Sequence, residues 1–397
     1  LQPLRLSHLC LANSLGVGLA ATLDALVSRR TGLLPCRFET VTLPTFVGEV
    51  AALDEVKMRA DLKSFDCRNN RLAQLALDQD GFAGAVAQAR ERYGARRVGV
   101  FLGTSTSGIL ETELAYRRRD PETGALPADF HYATTQNTFS VAHFVQRYLG
   151  LRGPAVVVSS ACATTAKVFG NAARMITAGL CDAAVVGGAD SLCLTTLYGF
   201  HALGLVSGQP CRPFDVDRDG ISIGEGAGFV LLERPEATED DGAPYLLGLG
   251  ESSDAYHMST PHPEGLGAKL AMERALASAG LRPESIDYIN LHGTATRSND
   301  AAEDLAICAL FGRQTACSST KGWTGHTLGA AGVTEAIIAA LTIRHGIKPG
   351  SLHTRKLDPA LNSHYLIDNE RAQVRYAMTN SFGFGGSNCS LILGRAP

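Results

Sequence analysis

The same succession of segments occurs twice in this sequence, and that duplication restricts the fold more than any other feature. In the first copy a helical run over 71–92 ends at Gly94, followed by the strand Val98-Gly99-Val100-Phe101-Leu102 and then Gly103-Thr104. In the second, a helical run over 268–278 ends at Gly280, and after Pro283 comes the strand Ile286-Asp287-Tyr288-Ile289-Asn290-Leu291, then His292-Gly293-Thr294. The echo continues. The strand Ala155-Val156-Val157-Val158 runs through Ser159-Ser160-Ala161-Cys162 into an alanine-rich helix, and Thr315-Ala316-Cys317-Ser318 runs through Lys321 and His326 into a helix over 328–344. Each copy then closes on a glycine-rich turn between extended segments, at 221–228 and at 380–386. Strands alternating with helices make this an α/β chain, and the repeat divides it into halves 1–238 and 243–397. The acidic stretch Glu236 to Gly242 is the expected linker.

Composition excludes several function classes. Lys+Arg is 36 and Asp+Glu is 39, a balance unlike that of a nucleic-acid scaffold or a polybasic membrane binder. The segment Leu1-Gln2-Pro3-Leu4-Arg5 has no basic n-region leading into an apolar run, so no signal peptide is expected. The greasiest stretch, Ala336 to Leu341, ends at Arg344 and His345, well short of the roughly 18 residues that a span requires. The ten cysteines are scattered and form no CxxC pair, so neither a zinc knuckle nor a redox dithiol is indicated. Reduced, buried cysteines and a cytoplasmic location are expected.

Four elements carry chemistry. Cys162 stands where a buried strand gives way to a helix, among small residues; helix-terminal amides would lower its pKa there, although a packed core cysteine would occupy the same place. His292 and His326 lie in glycine-rich loops that reach a ligand or serve as hydrogen-bonded structural histidines. The run Asn380-Ser381-Phe382-Gly383-Phe384-Gly385-Gly386 suits an anion-binding turn, a gate, or a hairpin with buried phenylalanines. Gly16-x-Gly18-x-x-Ala21 imitates a dinucleotide fingerprint, but no clear strand precedes it and no βαβ unit follows.

Together these elements resemble the β-ketoacyl-acyl carrier protein synthases of the thiolase superfamily. The likeness spans essentially the whole chain, with the motifs in order. They are Ser160-Ala161-Cys162, Cys211-Arg212-Pro213-Phe214-Asp215, Gly224-Glu225-Gly226-Ala227-Gly228, His292-Gly293-Thr294-x-Thr296, Asn299-Asp300-x-x-Glu303, Lys321-x-x-x-Gly325-His326 and Gly383-Phe384-Gly385-Gly386-Ser387-Asn388. The Cys-His-His set is that of the elongating type. The resemblance implies a five-layered α-β-α-β-α fold of two related halves. It also implies a decarboxylative Claisen condensation of an acyl-enzyme with a malonyl-carrier thioester. It assigns Cys162 as nucleophile, His292 and His326 as enolate donors, and Lys321 paired with Glu303 as buried ionic support. The backbone N–H of Phe384 joins that of Cys162 at the acyl oxyanion, and Phe382 and Phe384 gate the tunnel. Thr294 and Thr296 hold the phosphopantetheine arm, and Thr106 and Phe200 line the acyl pocket. No organic cofactor and no metal are implied.

Three departures bear on the substrate. Lys167 stands five residues after Cys162, where elongating fatty-acid enzymes usually carry histidine. The loop Gly103-Thr104-Ser105-Thr106-Ser107-Gly108 is rich in hydroxyls. Arg297-Ser298-Asn299-Asp300 and the segment 133–138 are similar to ketosynthases of aryl-polyene and related type II polyketide clusters. Housekeeping fatty-acid elongation and iterative polyene assembly are therefore both open, with the second preferred. The implied partners are an acyl carrier protein and either a second copy or a chain-length-factor-like subunit. A non-catalytic chain-length factor and a Cys-His thioester hydrolase are the competing readings. Arg59, Lys63, Arg68 and Arg117 to Arg119 are the candidate docking cations for the acidic carrier.

Overall fold

A computed structural model describes residues 1–235 and 242–395; the expected linker lies, but for Gly242, outside the described residues. The first half contributes β1 (Leu4–Asn13), β2 (Val98–Gly103), β3 (Ala155–Val158), β4 (Ala183–Asp190) and β5 (Gly226–Glu233), side by side in the order β3-β2-β4-β5-β1. The second contributes β6 (Tyr245–Ser253), β7 (Tyr288–Asn290), β8 (Ala316–Ser318), β9 (Tyr376–Gly383) and β10 (Ser387–Gly394), in the order β8-β7-β9-β10-β6. In each half the first three strands of that order are parallel and the last two run antiparallel to their neighbours. The two sheets meet where β1 pairs with β6 at Leu4↔Leu246 and Arg5↔Tyr245.

Helices fill three layers around the sheets. Along β2 the side chains alternate, as a pleated strand requires. Val98, Val100 and Leu102 pack outward on α1 (Arg68–Leu77), α2 (Phe82–Tyr93) and α3 (Ser140–Leu149), while Phe101 faces the central core. The central layer is α4 (Thr164–Thr177), following β3, and α7 (Ala331–His345), following β8. Between them α5 (Leu266–Ala279) and α6 (Arg297–Phe311) cover the outer face of the second sheet. The result is the five-layered α-β-α-β-α arrangement. Helix α7 is buried from Ala331 through Ile343, because it lies between two sheets and needs an apolar surface on every side.

The sequence reading differs from the fold in two places. The helical run expected over 71–92 is two helices, broken at Asp80 and Gly81, which take left-handed φ of 55° and 71°. A strand, β1, does precede Gly16-x-Gly18, and a helix (Leu19–Ser28) follows it. All three strands that pair with β1, the short Gly16–Val17 strand included, are antiparallel to it, so no dinucleotide-binding βαβ unit results.

The parallel strands β7 and β8 deliver the segments that follow them to one edge of the second sheet, where the Cys162 turn that follows β3 of the first sheet meets them. The central helices must approach closely for the two edges to meet. A Cβ on Gly332 of α7 would stand 2.4 Å from the backbone nitrogen of Ala166 in α4. Gly332→Ala is therefore expected to destabilise the fold by about 1–3 kcal/mol through overpacking, read as a lower urea midpoint with an unchanged m-value.

Candidate active site

Cys162 sits in a tight turn between β3 and α4, 7% exposed. Thr164 pins that turn: its hydroxyl donates to the Ala161 carbonyl (2.6 Å) and accepts from the Ser160 N–H (2.8 Å). Ala161 is held in the left-handed region at φ 50°, a conformation that persists only when its surroundings over-determine it. The expectation that the helix terminus would lower the Cys162 pKa is not met. Burial dominates and pushes the thiol up to about 11, with the Lys321 charge and the Phe384 N–H acting in the opposite direction.

The two histidines converge on this thiol. His326 Nε2 lies 3.1 Å from Cys162 Sγ, and the imidazoles of His292 and His326 meet edge-on with centroids 5.3 Å apart. Their other nitrogens decide what they can do. The Leu328 N–H donates to His326 Nδ1 (3.2 Å), and the Lys321 ammonium, which can only donate, is 3.3 Å from His292 Nδ1. Each Nδ1 is thus an acceptor, and in the neutral ring the hydrogen is on Nε2. Burial, reinforced by the Lys321 charge, lowers both imidazole pKa values, so the neutral form prevails. The pair presents two Nε2–H donors to one point.

One nitrogen of each histidine and the sulfur lie within 4.8 Å of one another, a spacing that a metal ion could bridge. Metal-bound histidines, however, donate their distal N–H to an acceptor. Here the distal nitrogens accept from an amide and an ammonium, so the donor set suits an oxyanion and not a cation.

Lys321 is 1% exposed. Its expected partner was Glu303, and the structure corrects this: its ammonium bonds Glu335 Oε1 (2.5 Å) and the His292 carbonyl (2.5 Å). Burial raises the Glu335 carboxyl to about 7, against the Lys321 charge. Glu303 performs a different task, because α6 places it beneath the strand end. It accepts the backbone N–H groups of His292 and Gly293, both at 2.8 Å, and the Asn380 amide at 3.2 Å. Nothing in the Asn299-Asp300-x-x-Glu303 spacing distinguishes these roles. Glu335 was missed, although a lone acid in the apolar run of α7 was a signal that it needed a buried partner.

A cavity reaches these groups, lined by Cys162, His292, His326, Phe200, Phe382, Phe384, Thr294 and Thr296 among others. The two threonine hydroxyls bond each other at 2.9 Å. Phe200 and Phe384 rings pack 5.7 Å apart, and Phe382 lies 6.0 Å from the His292 ring. Gly383 lets this turn approach Cys162: a Cβ there would be 3.2 Å from the Cys162 nitrogen. Thr106 is off this cavity, since its hydroxyl is committed to the buried Asp190 at 3.0 Å. Lys167 pairs with Glu251 on β6 at 3.8 Å.

Among the candidate docking cations, Arg68 is ruled out. It is buried, bonded twice to Glu225 and once each to Asp54 and Glu49. Arg59, Lys63 and Arg118 pair with Asp61, Asp66 and Asp129 on the surface. Arg297, Arg355 and Lys356 are exposed close to Thr296: Arg297 donates to the Val216 carbonyl, and Val216 N–H to that of Lys356. Among the described residues no helix is long and apolar enough to cross a membrane.

Residues 66–237 match the family described as Beta-ketoacyl synthase, N-terminal domain, and residues 245–355 the Beta-ketoacyl synthase, C-terminal domain. The chain is 36% identical over 361 residues to 3-oxoacyl-[acyl-carrier-protein] synthase 2 of Vibrio cholerae, covering 84% of this chain and 87% of that protein. It is 43% identical over 268 residues to the mitochondrial 3-oxoacyl-[acyl-carrier-protein] synthase of Arabidopsis thaliana, covering 63% of this chain and 58% of that one. Among solved structures it is similar to a ketosynthase (ApeO) in complex with its chain length factor (ApeC) from Xenorhabdus doucetiae, with TM-score 0.89 and 39% identity, covering 100% of this chain and 98% of that one. The ishigamide ketosynthase/chain length factor superposes with TM-score 0.89 at 29% identity, with both chains fully covered.

A double-mutant cycle discriminates the two carboxylates. Lys321 and Glu335 are expected to couple by more than about 1 kcal/mol in urea unfolding, and Lys321 and Glu303 by less than about 0.5 kcal/mol. Glu335→Ala alone, which strands a buried ammonium, is expected to cost about 3–5 kcal/mol.

Proposed function

The chain belongs to the β-ketoacyl synthase family, and from that premise we propose that its site performs a decarboxylative condensation of two carrier-bound acyl groups, with Cys162 as nucleophile. The observation that carries this reading is the pair of Nε2–H donors, fixed by acceptor Nδ1 atoms, beside a buried thiol in one cavity.

In the first half-reaction the Cys162 sulfur attacks the thioester carbonyl of an acyl-phosphopantetheine. The backbone N–H groups of Cys162 and Phe384 take the oxyanion. The C–S bond of the donor breaks, and the thiol proton leaves with the pantetheine sulfur. In the second, a malonyl thioester loses CO₂, and the electron pair moves onto its thioester oxygen as an enolate. His292 and His326 donate to that oxygen. The enolate carbon then attacks the acyl-cysteine carbonyl, a C–C bond forms, and the Cys162 thiolate is released. Decarboxylation drives the step, so no organic cofactor is required. Thr294 and Thr296 hold the pantetheine arm, and Phe200, Phe382 and Phe384 shape the passage to the acyl pocket.

The partners are an acyl carrier protein and a chain-length-factor-like subunit. Support for the second comes from the 39% identity, along the full chain, to a ketosynthase solved in such a complex. It also comes from β3, an edge strand that among the described residues pairs only with β2 and is half-buried along its length. The substrates proposed are conjugated chains of polyene assembly, in keeping with the 133–138 and 297–300 segments. The exposed cations Arg297, Arg355 and Lys356 offer the carrier a docking place beside Thr296.

Intact-mass analysis with saturated and with conjugated or aryl-ended acyl-carrier thioesters tests the chemistry. An acyl adduct lost in Cys162→Ala is expected, with conjugated donors preferred. Preference for saturated donors would place the protein in fatty-acid elongation instead. His292→Ala and His326→Ala are each expected to lower malonyl decarboxylation by about 10²–10³-fold while leaving the Cys162 adduct in place. Charge reversal at Arg297 is expected to raise KM for carrier substrates at low salt, and an unchanged KM would put the docking surface elsewhere.

A further inference from the structure

A carboxylate outside the cavity grips the turn that carries His326. Asp190 ends β4 and is fully buried. Its Oδ1 accepts the backbone N–H groups of Ser105 (2.7 Å) and Thr106 (2.9 Å) and the hydroxyls of Thr104 (2.8 Å) and Thr106 (3.0 Å). Its Oδ2 accepts the Gly329 N–H (2.6 Å) and the Ser105 hydroxyl. Backbone amides and hydroxyls therefore meet this buried charge, the arrangement in which a carboxylate is held most firmly.

Gly329 follows Leu328, which is held in the left-handed region at φ 52° with its N–H on His326 Nδ1. The Gly329 carbonyl accepts the Thr165 hydroxyl of α4 at 2.6 Å. Gly329 is thus held at its N–H by β4 and at its carbonyl by α4, immediately beside the strained residue. The fit has no slack: a methyl group on Gly329 would stand 2.7 Å from Asp190 Oδ2 and 3.1 Å from the Ser105 nitrogen.

We propose that Asp190 is a positioning residue for His326: by holding the Gly329 amide it keeps the Leu328 N–H on Nδ1, and so keeps the hydrogen on Nε2 and aimed at the reacting oxygen. The inference rests on the reading of His326 as an enolate donor. A positional error of about 1 Å at such a donor costs on the order of 100-fold in rate, whereas acyl loading of Cys162 does not use it. Asp190 therefore belongs to the second half-reaction alone.

The two half-reactions are measured separately in Asp190→Asn, Gly329→Ala and His326→Ala. Asp190→Asn keeps one oxygen for the 104–106 turn but faces an amide NH₂ against the Gly329 N–H, and Gly329→Ala pushes on the same contact from the other side. Both are expected to lower malonyl decarboxylation and condensation by about 100-fold, with Cys162 loading and the donor KM within about threefold of wild type. Histidine ¹⁵N spectra, with His326 identified by its loss in His326→Ala, are expected to show the Nε2–H pattern in wild type and a shift toward Nδ1–H in Asp190→Asn. Wild-type condensation in both variants, or equal loss of loading and condensation, would overturn the proposal. An Nδ1–H pattern in the wild-type enzyme would overturn it without any variant. If His326→Ala itself decarboxylates normally, the reading of His326 fails, and with it the premise on which Asp190 was placed.

Discussion

A single buried ammonium organises this site. Lys321, out of reach of solvent, would be prohibitively costly without partners, and the fold supplies them from three directions. Glu335 comes from α7, the His292 carbonyl from the end of β7, and His292 Nδ1 from the ring itself. Each contact has a consequence beyond the pairing. The bond to Nδ1 makes His292 an Nε2–H donor, the positive charge lowers the pKa of both imidazoles, and it counters the burial that raises the Cys162 thiol. One charge therefore acts on three side chains around the cavity, beside the larger effect of burial at each.

The duplication explains how distant segments reach that point. β4 ends at Asp190 and β9 at Gly383, at matching places in the two sheets, where Asp190 pairs with Gly226 and Gly383 with Ser387. Each strand end touches the strand-to-helix turn of the other half. Gly383 lies against the Cys162 turn that enters α4, and Asp190 bonds the Gly329 turn that enters α7. The copies have diverged at these ends. The second half joins β9 to β10 by a tight turn that offers the Phe384 N–H. The first spends residues 191–225 on a long excursion that includes the helix Leu194–Ala202 and Phe200 of the cavity wall.

Much of this was legible in order and type. The repeated strand–turn–helix units, the apolar α7 and the strand-end positions of Cys162 and His292 all follow from local pattern, because alternation and glycine placement act over a few residues. Partner choice was not legible. Glu303 and Glu335 flank Lys321 along the chain, one on either side, and only the helix that carries each decides which one reaches the ammonium. Arg68 read as a surface cation because its ion partners, at positions 49, 54 and 225, are remote along the chain. The Cys162 thiol was expected to be acidified by its helix terminus, and burial outweighs that effect.

By itself, then, the sequence determined the two-fold α/β architecture and pointed to the candidate reactive side chains, since hydrophobic period and residue chemistry are local properties. The tertiary structure alone decided which groups are donors and which acceptors, and which carboxylate holds the lysine. It also decided that Asp190, a strand residue with no motif around it, grips the turn beside His326. Hydrogen-bond direction and burial depend on atoms that the chain brings together only when its two halves close on each other.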